Sequence, residues 1–253
     1  MNTDIAEIIM HDLSAHTKTL DQKSFPVTSF VSMGGISANN IFRRVSDKTL
    51  SDPVNILFTK FGYKNIFLPY VNKRLQSFYK EEKWVLGNEV QMKSVDDVVS
   101  DIYRIYSQAY INIWKSYIQD VRMVQPKDLQ QAIVMSKQFS EKNSSLAGII
   151  KGISLNTNLV EAAPAKVEQA NPGKTELNDL EKKAAAQVVT PKNMIDETKV
   201  QGYLESISGN FSQYQNLTQS SQESESQLDE IIRSINDLYV YLVALELSMQ
   251  SED

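Results

Sequence analysis

The sequence predicts an all-α protein: a multi-helix bundle with a long central helix and a C-terminal helical hairpin, interrupted by a flexible linker. Three observations carry that class. Apolar residues recur at three- and four-residue spacing in most of the chain, and one such run, Ser94 to Arg122, is long enough to act as a spine. Helix-start residues stand just before several of the runs. Between Val160 and about Met194 the pattern stops: Pro164, Pro172 and Pro191 fall there, no aromatic residue does, and Ala, Lys, Glu, Gln and Asn fill most of the rest. Such a stretch buries too little apolar surface to offset its ordering entropy.

In chain order, Asp4 with Glu7 three residues on forms a capping box. Ile5, Ile8, Ile9 and Leu13 then define a first helix that fades near Lys23. Residues 24–57 hold Phe25-Pro26, Gly34-Gly35 and Pro53 and read as loop, with a short helix around 37–46. Phe58 to Lys83 is helical, and Pro69 either kinks it or opens a second helix. Val71, Leu75, Phe78 and Tyr79 form its apolar face, and Trp84-Val85-Leu86-Gly87 ends it.

Ser94 is the N-cap of the central helix, with Asp96 and Asp97 in the first turn, where the helix dipole favours acids. Val95, Val98, Val99, Ile102, Ile105, Tyr106, Ala109, Tyr110, Ile113, Trp114, Tyr117 and Val121 make a broad stripe along a rod of about 43 Å. Pro126 opens the next helix, whose buried side is Leu129, Ile133, Val134, Met135 and Phe139. In a third helix, near 145–155, Gly148 and Gly152 share a face and allow a close helix approach.

After the linker, Val200, Tyr203, Ile207, Phe211, Tyr214 and Leu217 or Thr218 step in threes and fours. Beyond a polar turn at 218–225, Leu228, Ile231, Ile235, Leu238, Leu242, Leu245 and Met249 form a heptad seam. That seam either closes the hairpin or docks it onto the 94–155 helices; a dimeric coiled coil is the less favoured use. The expected organisation is a helical domain over 1–159, a flexible linker over 160–195, and a helical hairpin over 196–253 that packs back on the bundle.

Hydrophobic residues make up 42% and charged residues 23%, the balance of a globular protein with a sizeable core. The net charge of −5, with no basic stripe, argues against nucleic-acid binding. With no cysteine, disulfides, thiolate metal sites and cysteine nucleophiles are out of reach. Met1-Asn2-Thr3-Asp4 lacks a basic n-region, so no signal peptide is expected. The longest nearly apolar run, Leu238 to Leu247, falls far short of the roughly 20 residues a membrane span needs.

No catalytic, cofactor or metal motif emerges. There is no phosphate-binding loop, and Gly34-Gly35 reads as a turn. His11 and His16 are separated by about 500° of helix rotation and face apart. Carboxylates such as Asp96, Asp97 and Asp101 read as capping and solvation. The series Tyr103, Tyr106, Tyr110, Trp114, Tyr117 could wall a ligand pocket, but aromatics at this spacing on a long helix read first as core.

Several segments, in order, resemble one family. Phe58-Thr59-Lys60-Phe61-Gly62-Tyr63, followed by Trp84-Val85-Leu86-Gly87, resembles the "FT-x-x-GY … WVLG" signature of IcmF/TssM proteins. Tyr103 to Trp114, including Tyr106, Tyr110 and Trp114, resembles that family's "Y-x-x-x-Y-x-x-x-W" helix. Ser144-Ser145-Leu146 with Leu155 to Leu159 resembles its "S-P-L … T-x-L" segment, with Ser145 where proline is usual. Leu238-Tyr239-Val240-Tyr241-Leu242 resembles its "LY-x-x-L" helix.

The resemblance implies a periplasmic portion of an inner-membrane component of type VI or type IVB secretion systems. It implies a scaffold acting through protein–protein contacts, with no enzymatic activity and no cofactor. Implied partners are other envelope proteins of the complex: an inner-membrane partner, and an outer-membrane lipoprotein met through parts outside this chain, together with self-association. Membrane attachment would come from helices upstream of this sequence. The motif residues, Phe58, Thr59, Gly62, Tyr63, Trp84, Val85, Leu86, Gly87, Tyr106, Tyr110 and Trp114, are expected to be structural. The alternative is a helical-bundle ligand-binding or enzymatic module using the Tyr/Trp face.

Overall fold

The computed structural model describes residues 5–20, 24–85, 94–160, 195–220 and 225–251. The predicted all-α class holds, with a two-stranded ribbon added. Helix α1 (Ile5–Thr19) leads to two short helices, α2 (Phe30–Gly34) and α3 (Ala38–Ile41), and to strand β1 (Phe42–Arg44). A 3-10 turn (Ile56–Phe58), a single turn α4 (Lys60–Gly62) and a π-helical turn (Tyr63–Phe67) run into α5 (Leu68–Val85). Then come the central α6 (Val95–Gln119), β2 (Val121–Met123), α7 (Leu129–Ser140) and α8 (Ser145–Thr157). Past the expected linker, whose residues 161–194 lie outside the described set, follow α9 (Glu197–Asn210), α10 (Ser212–Thr218) and α11 (Gln227–Gln250).

Local chemistry explains the starts. The hydroxyls of Ser94 and Ser144 accept the amides of Asp97 and Ala147, and the Asp128 carboxylate accepts that of Gln131. Ser226 and Asp229 form a full capping box on α11. Pro69 stands in the first turn of α5, where its missing N–H costs little.

The structure departs from the expected boundaries at five places. Helix α2 is an addition, nucleated by a Ser29–Ser32 capping box inside the expected loop. The helix expected at 37–46 stops at Ile41, because residues 42–44 pair antiparallel with 121–123. For the same reason α6 ends at Gln119 rather than Arg122. The helix expected to open at Pro126 starts at Leu129, since Asp128 supplies the cap, and Val134 on it is exposed rather than buried. Finally, the helix read through 200–218 is broken at the buried Phe211, whose backbone (φ −123°, ψ 15°) is not helical.

Helix α6 is the centre of packing. Helices α1 and α9 lie against it, α2 crosses α8, and α5 meets α1. The main core draws on α1, the 54–67 segment, α5, α6 and α8, and also on Ile195, Val200, Ile207 and Phe211. The C-terminal helices therefore do not mainly pair with each other: α9 lies on α6, α10 on α8 and α11 along α7. Two smaller clusters seal the α11 contact, Ile41–Met135–Phe139 with Ile235, and Ala147 with Leu228 and Ile232.

The α2–α8 crossing is close enough to require glycine. A Cβ on Gly148 would run into the carbonyl oxygen of Met33, and one on Gly34 would stand 2.8 Å from the Ser145 carbonyl oxygen. Backbone, not a movable side chain, fills the space. Gly148→Val should therefore lower stability by about 2–3 kcal/mol through overpacking. Gly202→Ala, on α9 with open space around it, should raise stability by about 0.5–1 kcal/mol. Chemical denaturation of the two variants against the parent chain checks both signs.

Candidate functional site

The aromatic row on α6 is buried along its length. Tyr103, Tyr106, Tyr110 and Trp114 are fully buried, and Tyr117 nearly so. Each of the last four sends a polar tip to backbone outside α6. The Tyr106 hydroxyl donates to the Leu57 carbonyl (2.8 Å) and the Trp114 Nε1–H to the Phe58 carbonyl (2.7 Å). The Tyr110 hydroxyl donates to the Asn156 carbonyl at the end of α8. The Tyr117 hydroxyl donates to the Asp52 carbonyl (3.1 Å) and accepts the Phe30 amide (3.1 Å).

Around these bonds the rings interlock. Phe67 stacks on Tyr106 with centroids 3.9 Å apart, and Phe58 packs on both Tyr106 and Tyr110. Thr59 caps α4 by accepting the Gly62 amide (3.0 Å). A Cβ on Gly62 would strike the Ile56 carbonyl oxygen, so the turn closes only with glycine there. The Tyr63 hydroxyl meets that of Tyr103 at 3.4 Å. Phe58, Thr59, Gly62, Tyr63, Tyr106, Tyr110 and Trp114 thus form one contiguous cluster. Trp84 and Val85 close α5, with side chains outside the described set; Leu86 and Gly87 lie outside it altogether.

Burial penalises the charged phenolate. It pushes the Tyr106 and Tyr110 hydroxyls far above the ordinary phenol range and the Tyr117 hydroxyl up to about 12. These groups are bonded donors in a dry interior, not poised acids or bases. Tyr106, Tyr110 and Trp114 fill the space between them with one another and line none of the described clefts, and Tyr117 alone borders one, so the geometry gives the pocket-wall alternative little support.

Sequence patterns missed a polar clamp at the foot of α6. The Arg44 guanidinium bonds the Asp120 carboxylate at 2.6 Å with both side chains largely buried, and lies 4.7 Å over the Tyr117 ring. The Ser46 hydroxyl and amide also donate to Asp120. Hydrogen bonds from Ser46, then from Arg44, hold the Asp120 carboxyl well below the usual carboxylate range. The clamp joins residues 76 apart in sequence, which no local periodicity can reveal. It borders a cleft of about 770 Å³.

Comparison with known proteins bears on this cluster directly. The model of the IcmF-related family (intracellular multiplication and human macrophage-killing) matches residues 3–158, more than half of the chain. The chain belongs to the IcmF-related family. The IcmF-related match ends one residue past α8 and contains the whole aromatic cluster. The type VI secretion system component TssM1 of Pseudomonas aeruginosa is 24% identical over 229 residues, covering 88% of this chain. This IcmF-related chain spans only 20% of that relative's length. A chain of a type VI secretion system membrane core complex aligns over 90% of this chain and 39% of its own, at 13% identity and a TM-score of 0.46. Among the described residues, no helix is long and apolar enough to cross a membrane.

Two outcomes follow from the tips. Tyr106→Phe keeps the ring but leaves the buried Leu57 carbonyl unpaired, and should cost about 1–2 kcal/mol in a denaturant titration. Because folding raises these phenol pKa values, their stabilisation is intact below about pH 10 and is lost as pH climbs through the folded values, near 12 for Tyr117. In an alkaline titration, the phenolate absorbance of Tyr106, Tyr110 and Tyr117 should appear only together with loss of helical circular dichroism.

Proposed function

We propose that this chain is a non-catalytic scaffold segment of a type VI secretion membrane complex, on the periplasmic side of the inner membrane and working through protein–protein contacts. The observation that carries the reading is the IcmF-related match across the aromatic cluster, joined to what that cluster does. Its chemistry-bearing side chains are consumed in holding backbone, so the motif fixes a shape rather than a reaction. The TssM1 relative supplies the type VI assignment. Its partners are other envelope proteins of the complex: an inner-membrane protein, and an outer-membrane lipoprotein reached through parts of the full-length protein outside this chain. The helical domain over 1–159 and the hairpin over 196–253 share one core among their described residues, and Phe58, Thr59, Gly62, Tyr63, Tyr106, Tyr110 and Trp114 hold that core in shape.

The test is made in the full-length protein in its own bacterium. Trp114→Ala removes the indole and orphans the Phe58 carbonyl; it should sharply reduce co-purification of envelope partners and secretion while the protein stays in the membrane. Leu155→Cys, at an exposed position, should react with a membrane-impermeant maleimide once the outer membrane is permeabilised. Unchanged assembly in the first variant, or labelling of the second only after inner-membrane lysis, would overturn the proposal.

A further inference from the structure

Beside the Arg44–Asp120 clamp, the cleft of about 770 Å³ runs along the C-terminal third of α6 and faces the 45–55 loop. Its walls hold three cations, Arg44, Lys48 and Arg122, against one acid, Asp120, in a chain whose net charge is −5. The acceptors of this wall are largely spent. Both Asp120 oxygens take bonds from Arg44 and Ser46. The Asn55 Oδ1 accepts the Leu57 amide, and the Asn112 Oδ1 accepts from Gln108. The Asp52 carboxylate, on the same loop, is turned to the Thr49 amide. Among the described residues, what remains is mostly donors: Nδ2 of both asparagines, the Lys48 ammonium, and Nε and Nη2 of Arg122. Ser116 and Gln119 add groups that donate or accept.

The ribbon next to this cleft carries unmet charge. Its register sets Arg43 directly opposite Arg122, and both are exposed. Directly opposed side chains stand about 5 Å apart at Cβ, and like charges there are destabilising. Among the described residues, no carboxylate forms an ion pair with Arg43, Lys48 or Arg122. The Arg122 Nη1 donates to the Gln119 and Val121 carbonyls (2.8 and 2.9 Å), which covers the negative end of α6 on this side.

We infer that this cleft holds an extended, acid-rich segment of another polypeptide, with its carboxylates on Lys48, Arg122 and Arg43 and its backbone carbonyls on the asparagine amides. Unspent donors call for an acceptor-rich ligand, and a carboxylate set between the two arginines turns repulsion into attraction. Spread decides between ligands. Asn112 to Gln119 covers about 10 Å of α6. That is too long for one carboxylate group and is the length of about three extended residues. A bilayer surface is too broad to enter a concave cleft, and a nucleic acid needs a longer run of cations than this wall offers. The docking rests on the cleft and the ribbon alone and is independent of the secretion role.

Fluorescence anisotropy of fluorescein-labelled hexaglutamate, titrated with the 253-residue chain, should show saturable binding. Lys48→Glu and Arg122→Glu should each weaken it about tenfold. Asn55→Asp keeps the oxygen that accepts the Leu57 amide but trades the donor for negative charge, and should weaken binding as well. Lys137→Glu makes the same charge change as Lys48→Glu at an exposed position of α7 outside the cleft, and should leave binding unchanged. Arg43→Glu should weaken binding while raising the melting temperature, since the two strands then oppose unlike charges. Unaltered circular dichroism checks that each variant is folded. Absence of saturable binding, an equal loss in Lys137→Glu, or a lower melting temperature in Arg43→Glu would overturn the proposal. So would sedimentation of the chain with phosphatidylglycerol vesicles that Arg122→Glu abolishes, which would assign this face to a lipid surface.

Discussion

The fold depends on how irregular backbone is satisfied in a dry interior. Between Asp52 and Gly62 the chain runs through turns that cannot pair all their own carbonyls, and the stretch is pressed against the middle of the molecule. An unpaired buried carbonyl costs about as much as a typical single mutation removes. Helix α6 resolves this with side chains that are apolar along their length and polar at the end. Tyr106, Trp114 and Tyr117 each bury a ring and meet a carbonyl of that stretch, at Leu57, Phe58 and Asp52. One set of residues thus supplies both the hydrophobic payload and the bonds that would otherwise be missing.

This double duty explains the mixed legibility of the sequence. The α6 stripe was plain, because burial on one face of a helix leaves a 3.6-residue period whatever it packs against. The cap at Ser94 and the glycines of α8 were plain too, since their causes are local: an orphan amide in one case, a missing Cβ in the other. That Phe58 and Tyr106 pack together was not legible, as contact across 48 positions leaves no periodic trace. The same holds for the Arg44–Asp120 clamp, which links two stretches that read as unremarkable loop and helix end.

The misjudged boundaries share a cause. Residues 42–44 and 121–123 have helical neighbours and no alternation of their own; they became strands because each supplied the other's hydrogen bonds. Phe211 looked like one more step in a helical row, yet burying it in the main core turned the chain and split the row in two. The heptad pattern of the last helix was real, but a seam does not reveal which part of it faces home. Docking rotated α11 onto Leu228 and Ile232, leaving Leu238 and Leu245 outside.

The order in which the parts appear during synthesis has its own consequence. Helix α9 covers α6 with Tyr203 against Tyr103 and Lys199 paired to Asp96, so residues about a hundred positions apart must wait for one another. At roughly 5–20 residues per second on the ribosome, that flank of the spine stays bare for roughly 5–20 s after it emerges. A nascent chain in this interval presents sticky aromatic surface until its last quarter arrives.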